Sequence, residues 1–276
     1  MNFVELEKRS RCIREDVLRM VHTAGSGHPG GSLSSVDILT ALYFTDMMRI
    51  TPDKPENPIQ DRFILSKGHC VPLLYSVLCR KGYFGEEHLS TLRKLGSILQ
   101  GHPHAASTPG LDCSSGSLGQ GLSIANGIAL GYRMRGIDRR VYCLLGDGEL
   151  QEGQIWEAAL TATQHKLCNV CAIVDNNHVQ LDGMTADIKC MEPLADKWRA
   201  FGWNVLEVDG HNLSALYDAY NAAAKETQLP TVIVAETIKG KGVSFMENQA
   251  AWHGLAPNAE QLAAALKEIN EGGAPA

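Results

Sequence analysis

The chain has 276 residues, 44% of them hydrophobic, with a formal net charge of −6 and a pI near 5.9. That length and apolar content suit one large α/β domain with a sizeable core, and the acidic balance, with no lysine-rich run or basic stripe, argues against a nucleic-acid surface. The charged start Met1-Asn2-Phe3-Val4-Glu5-Leu6-Glu7-Lys8 has no apolar core of signal-peptide length, and no later segment approaches a membrane span, so a cytoplasmic protein is expected.

Residues 3 to 22 carry Val4, Ile13, Val17, Leu18 and Val21 near helical spacing and predict an amphipathic helix; residues 34 to 48 predict another, with a glycine loop between them. Gly25-Ser26-Gly27-His28-Pro29-Gly30 in that loop fits the dinucleotide pattern G-x-G-x-x-G, but it follows a helix instead of a strand and contains a proline, which rejects a nicotinamide site. Arg62-Phe63-Ile64-Leu65 reads as a short strand after a proline-rich loop, residues 71 to 80 as a helix and 86 to 95 as another. Residues 97 to 118 form the longest irregular stretch, of a length that in compact domains goes with function or disorder. The helix predicted over 120 to 133 has small residues in two rows, Gly121, Ala125 and Ala129, then Ser123, Gly127 and Gly131, which let a helix or a ligand approach closely.

Val141-Tyr142-Cys143-Leu144-Leu145 and Asn169-Val170-Cys171-Ala172-Ile173-Val174 are apolar runs typical of buried parallel strands, separated by a helix over 151 to 166. Residues 203 to 208 and 231 to 235 add strands around a helix over 213 to 227. Strands alternating with helices predict an α/β fold, a doubly wound, mostly parallel sheet of about five strands flanked by helices. Residues 1 to 256 are expected as one domain and 257 to 276 as a helix and frayed tail. The eight cysteines show no framework of paired spacings, and Cys168-Asn169-Val170-Cys171 begins a strand, where a thioredoxin-type pair would open a helix.

The most telling pair of segments is Gly146-Asp147-Gly148-Glu149-Leu150-Gln151-Glu152-Gly153 and, thirty residues from Asp147 to Asn177, Asp175-Asn176-Asn177-His178-Val179. A right-handed strand, helix, strand crossover brings both to the carboxyl end of one sheet. Mg²⁺, or Ca²⁺ or Mn²⁺ in its place, takes oxygen ligands, so the Asp147 carboxylate, the Asn177 amide oxygen and the Val179 carbonyl form a candidate metal set that phosphate oxygens and water complete. Gly146 and Gly148 keep side chains out of the turn, and the helix that follows presents N–H groups to anions.

These segments resemble the thiamine diphosphate fingerprint, in the version found in the transketolase family. Ser26-Gly27-His28-Pro29-Gly30, Ser66-Lys67-Gly68-His69, Gly101-His102-Pro103, Gly116-Ser117-Leu118-Gly119-Gln120-Gly121 and Trp252-His253-Gly254 occur in the order of that family across nearly the whole chain. In such enzymes the cofactor carries the electron-sink chemistry, and the protein supplies orientation, proton transfer and charge stabilisation. The resemblance implies that His28 contacts substrate hydroxyls and the developing alkoxide, that His102 holds the oxygen of the transferred two-carbon unit, and that His253 bridges diphosphate and substrate. It places His69 near the diphosphate, Gly116, Ser117 and Leu118 along the cofactor through main-chain atoms, and Gly148 with Asn177 at the diphosphate. Glu152 is implied behind the metal, near a subunit contact. Imidazoles suit hydroxylated substrates because they can donate and shuttle protons near neutral pH.

The sequence departs from the family pattern at His104, where an acidic residue is expected, and at Lys239-Gly240-Lys241-Gly242, which also resembles the loop of deoxyxylulose-phosphate synthases. The family's activating glutamate, aromatic pocket and phosphate-binding arginines belong to a second domain that this sequence does not contain. The resemblance therefore covers the diphosphate-binding half and implies a separate pyrimidine-binding carboxyl-terminal subunit in an α2β2-like assembly acting on sugar phosphates. The alternatives are a 2-oxo acid dehydrogenase α chain or a pyruvate-using synthase, which share the metal motif without this histidine set, and a non-catalytic cofactor-binding module.

Overall fold

The structure, a computed structural model, describes residues 1–271. Helix α1 (Phe3–Ala24) starts at Asn2, whose side chain accepts the Glu5 N–H, and stops at Gly25, which is left-handed at φ 64° and returns its N–H to the His22 carbonyl. Then come α2 (Pro29–Ser34), α3 (Val36–Tyr43), β1 (Arg62–Leu65), α4 (Val71–Arg80), α5 (Gly121–Met134), β2 (Val141–Gly146), α6 (Gly153–Gln164) and β3 (Val170–Asn176). The chain continues through α7 (Thr185–Lys189), α8 (Leu194–Ala200), β4 (Asn204–Asp209), α9 (Leu213–Lys225), β5 (Thr231–Glu236) and α10 (Ala259–Glu271).

The five strands form one parallel sheet in the order β1-β2-β3-β5-β4. β2 and β3 are buried along their whole length, which explains why they read as continuous apolar runs without alternation. The crossovers from β1 through β4 all move one way across the sheet, and right-handedness puts α5, α6 and α8 on one face. The step from β4 to β5 runs back, so α9 lies on the other face with α1, α3, α4 and α10. Each face has its own core: Ile13, Leu18, Leu39, Leu74 and Tyr220 on one, Ala125, Ala159, Ile155 and Trp198 on the other. Ala265 and Ile269 of α10 join the first core, so the carboxyl-terminal helix packs with α1, while the rest of the expected tail, 272 to 276, lies outside the described residues.

Several expected boundaries move. Part of the predicted glycine loop is the helix α2, which Pro29 can open because its missing N–H has no partner in a first turn. The helix expected over 34 to 48 is α3 alone, and the one over 86 to 95 is a 3-10 turn, Glu86–Thr91. The short α7 and α8 have no counterpart among the predicted elements. Residues 97 to 118 contain no helix or strand, yet they are pinned: Asp112 binds Arg62 at 2.5 Å and the Phe63 N–H at 2.8 Å, and Ser115 Oγ donates to the Leu65 carbonyl at 2.6 Å. The first small-residue row of α5 packs inward, with Ala125 and Ala129 buried; Gly127 of the second faces open space. All eight cysteines are free thiols, and among the described residues no helix is long and apolar enough to cross a membrane.

Trp198 is fully buried, with ring centroids 5.2 Å from Trp156 and 4.9 Å from Trp203. Trp198→Ala should cost about 3–5 kcal/mol through the cavity it leaves. Urea unfolding checks this, and a loss below about 1 kcal/mol would show that the second core is not held by this cluster.

Candidate active site

The site forms where β2 and β3 end side by side. Gly146 is registered with Asp175, and the Asp147 N–H donates to the Asp175 carbonyl at 3.2 Å. Asp147 opens a 3-10 turn, Gly148–Gln151; its Oδ1 accepts the Gly148 N–H at 2.8 Å, and its carboxylate lies near the His178 main chain. The carboxylate thus reaches the turn after β3 that holds Asn177. There Asn177 Nδ2 donates to Asp175 at 2.9 Å and its Oδ1 accepts the Val179 N–H at 3.1 Å.

Asp147 Oδ2 is buried and has no hydrogen-bond partner. Burial, with the nearby Asp175 carboxylate, pushes the Asp147 carboxyl up to about 6. A buried acceptor left without a donor is costly, and a divalent cation removes that cost. The Val179 carbonyl, expected as the third ligand, accepts from Lys239 Nζ at 2.9 Å and keeps one lone pair. Among the described residues no group of three His, Cys, Asp or Glu could hold a metal, so a cation here depends on neutral oxygens and on a ligand. A Cβ on Gly148 would lie 3.0 Å from Gln180 Cβ, which keeps the turn tight against the opposite segment.

Beneath this turn lies a polar hub. Asp175, with no exposure, accepts from Lys67 Nζ at 2.5 Å, Ser34 Oγ at 2.6 Å, Asn177 Nδ2 and Thr237 Oγ1. Burial opposes its charge, but the Lys67 ammonium and these hydrogen bonds hold its carboxyl down to about 2. Lys67 Nζ also donates to the Gly31 carbonyl at 2.9 Å and Ser35 Oγ at 2.7 Å. Glu149, likewise buried, accepts from Ser66 Oγ, from the Gly119 N–H at 2.9 Å and from the Gly146 N–H at 3.1 Å.

The four histidines singled out in the sequence converge. His28, at the start of α2, has its ring 5.2 Å from His69, 6.1 Å from His102 and 5.4 Å from His253, and His69 stacks on His253 at 5.0 Å. His69 and His253 sit in 3-10 turns, Gly68–Cys70 and Ala250–His253, and His102 on the pinned stretch after α4. Burial lowers His28 and His69 to about 4 and His253 to about 3, with the neighbouring cations adding to the effect, and His102 moves the same way. These rings are therefore neutral near pH 7, each with one N–H to give and one nitrogen to receive a proton. Lys239, nearly fully buried, stands between cluster and turn, 3.0 Å from His253 Nδ1; burial lowers its ammonium to about 8. Gly116, at φ 148°, backs onto His102, whose ring a Cβ would meet at 3.3 Å; Ser117 and Leu118 are exposed at the rim.

Residues 7–271 match the family described as "Transketolase, thiamine diphosphate binding domain". The chain belongs to the transketolase family. It is 43% identical to an apulose-4-phosphate transketolase subunit from Phocaeicola vulgatus, over 98% of this chain and 96% of that one, and 44% identical to the 6-deoxy-6-sulfo-D-fructose transketolase subunit SqwG of Clostridium sp. (strain MSTE9), over 98% of each. Against the transketolase of Homo sapiens it is 40% identical, covering 90% of this chain and 39% of that one. The crystal structure of transketolase from Campylobacter jejuni superposes with a TM-score of 0.93 at 33% identity, over 98% of this chain and 43% of the other. This is thus a transketolase-type enzyme chain with a thiamine diphosphate binding domain, about two-fifths the length of those two transketolases and of nearly the same length as the two subunits.

In this transketolase-family chain the fold gives roles to residues that sequence reasoning leaves without one. Lys67 and Lys239 lie inside recognisable motifs, but only the fold shows their ammonium groups buried under and beside the turn. Asp175, Ser34 and Thr237 come from three distant segments, and their meeting at one point has no local signal. Glu152 is exposed, whereas Glu149 of the same motif is the buried carboxylate.

The Asp147 carboxyl binds its proton more tightly folded than unfolded, so as pH rises from about 4 through about 6 the metal-free chain loses stability, on the order of 3 kcal/mol in all. Asp147→Asn should therefore make the metal-free chain more stable than wild type at pH 8 and, if Asp147 is the metal ligand expected from the sequence, weaken thiamine diphosphate binding measured with added Mg²⁺ by several kcal/mol. Thermal melts with a cofactor titration check both; an unchanged cofactor affinity rejects the metal assignment.

Proposed function

We propose that the chain is the diphosphate-binding subunit of a two-chain transketolase, which moves a two-carbon ketol unit from a ketose phosphate to an aldose phosphate with thiamine diphosphate and Mg²⁺. The observation that carries this reading is the convergence of His28, His69, His102 and His253 next to a buried carboxylate with an oxygen left unpartnered. The bound cofactor supplies an electron sink for carbon–carbon cleavage. Asp147, Asn177 and the Val179 carbonyl would hold the metal, and Gly148, His69 and the Lys239 ammonium would face the diphosphate. Gly116, Ser117 and Leu118 would offer main-chain atoms to the rest of the cofactor.

Neutral imidazoles perform the remaining tasks. His28, whose buried Nδ1 lacks a partner, would donate to a substrate hydroxyl and take up charge as an alkoxide forms. His102, on the more open side, would orient the oxygen of the transferred unit, and His253, already bonded to Lys239, would span diphosphate and substrate.

The partner reading is supported by relatives named as subunits and by exposed apolar residues on segments flanking the site: Leu118 on the rim, and Leu181, Met184 and Ile188 after β3. A pyrimidine-binding chain covering this face, in an α2β2-like assembly with Glu152 at a contact, would complete the enzyme. Free thiols throughout suit the cytoplasm. The relatives act, by name, on apulose 4-phosphate and 6-deoxy-6-sulfo-D-fructose, both sugars with a strong acid group, which favours an anionic ketose here.

Mixing the chain with a pyrimidine-binding partner, Mg²⁺ and thiamine diphosphate should give ketol transfer at least about a hundredfold above either chain alone. Comparable turnover by the lone chain would contradict the two-chain reading. In the active mixture His102→Ala should spare cofactor affinity and lower kcat about a hundredfold. Loss of cofactor affinity in that variant would move His102 from substrate to cofactor.

A further inference from the structure

The loop that brings Lys239 into the site is held from behind by groups that never enter it. On the site side, Thr237 is tied to Asp175 and, through its N–H, to the Asn176 carbonyl at 3.1 Å, and the Gly240 N–H donates to the Gly30 carbonyl at 3.0 Å. On the far side, the Ile238 N–H donates to His211 Nε2 at 2.9 Å and the Lys241 carbonyl accepts from Arg14 Nε at 3.3 Å. One carboxylate joins these two holds. Asp37 Oδ2 lies 2.9 Å from His211 Nδ1, and Arg14 grips Asp37 through both terminal nitrogens at 3.2 and 2.5 Å.

The hydrogen-bond pattern fixes the imidazole. A ring nitrogen that accepts the Ile238 N–H carries no proton, so Nδ1 bears it and donates to Asp37. Asp37 is buried; burial opposes its charge, but the Arg14 guanidinium and the His211 ring outweigh that and hold its carboxyl below the usual carboxylate range.

Lys239 needs such a hold. The hydrogen-bond partners of its Nζ are neutral: the carbonyls of Val179 and Gln180 at 2.9 and 3.3 Å and His253 Nδ1 at 3.0 Å. A long ammonium side chain with neutral partners gains by reaching out to water wherever its backbone lets it. The loop around it is tightly folded, with Gly240 and Gly242 at φ 79° and 94° and Gly30 so close that a Cβ there would lie 3.2 Å from Lys239 Cε.

We propose that Asp37, His211 and Arg14 are positioning residues for the reaction, clamping the main chain on both sides of Lys239 and so setting its ammonium against His253 and the turn after β3. The link to the reaction rests on the function proposed above; the clamp itself does not.

The test labels the full-length chain with trace acetic anhydride across pH 7 to 10 and reads, for each lysine by peptide mass spectrometry, the rate constant of its free amine, which separates access from proton affinity. His211→Ala should raise that rate constant for Lys239 about tenfold, as expected for loss of one partly buried hydrogen bond, while Lys67, in its own ion pair, stays within about twofold. His211→Gln, whose amide oxygen can accept the Ile238 N–H, should restore most of the protection. Should His211→Ala fail to fold, the isosteric Asp37→Asn carries the same expectation. Unchanged Lys239 labelling overturns the proposal, and so does a parallel rise at Lys67, which marks general loosening. Labelling needs no turnover, so it is readable even if no partner restores ketol transfer. In an active mixture the variant should also lower kcat about tenfold, in proportion to the lost hold. Raised labelling with unchanged kcat overturns the link to the reaction.

Discussion

A single buried ion pair sets the shape of this site. Lys67 follows β1 and Asp175 is near the end of β3, two strands apart in the sheet, and their charges meet where neither is exposed to water. Removing two charges from water is costly, and the pair is tolerated because every further donor and acceptor is used: Ser34, Asn177 and Thr237 on the carboxylate, Ser35 and the Gly31 carbonyl on the ammonium. The consequence is geometric. Four segments, from α2, after β1, after β3 and after β5, are drawn to one point, and each carries a residue of the proposed chemistry: His28, His69, Asn177 and Lys239.

Above that satisfied hub the site is left unsatisfied. Asp147 Oδ2 and His28 Nδ1 are buried without partners, three imidazoles are held neutral by burial, and an ammonium rests on carbonyls. Such groups oppose folding and are retained where a ligand completes them. On the function proposed above, a metal diphosphate would match the set in sign and in donor type: the cation would take the carboxylate and amide oxygens, and the anion would face the lysine and the neutral N–H groups. The folded chain therefore stores, as unpaired polar groups, part of the specificity for what it binds.

Much of this is legible from residue order. β2 and β3 declare themselves as apolar runs, the Asp147 and Asn177 motifs have to fall at their carboxyl ends, and glycine beside each histidine marks His28, His69, His102 and His253 as loop residues. Their convergence is a property of the topology, since they come from four segments spread over more than two hundred residues. The hub is not legible, because Asp175 and Lys67 gain their roles from burial and from partners distant in sequence. Residues 97 to 118 are irregular as expected, but nothing in their sequence shows that Asp112 and Ser115 lock them to β1; periodicity fails in the glycine-rich segment after α1, which folds as a helix while the Lys67 ammonium and the Asp175 carboxylate hold its carbonyl and hydroxyl groups. Residue type alone has the histidines titrating near neutrality; burial among cations moves them well below it, which suits them to donate to hydroxyls and to receive charge only as it forms.

The central claim is that Asp147 and Asn177 bind a cation only together with the cofactor's diphosphate. Its most direct test is electron paramagnetic resonance of Mn²⁺ in the chain, with thiamine diphosphate carrying ¹⁷O in its diphosphate oxygens. Tight Mn²⁺ binding that requires the diphosphate is predicted, with line broadening from the labelled oxygens, and loss of both in Asp147→Ala. Mn²⁺ bound equally well without the diphosphate, or a signal untouched by the label, would contradict it.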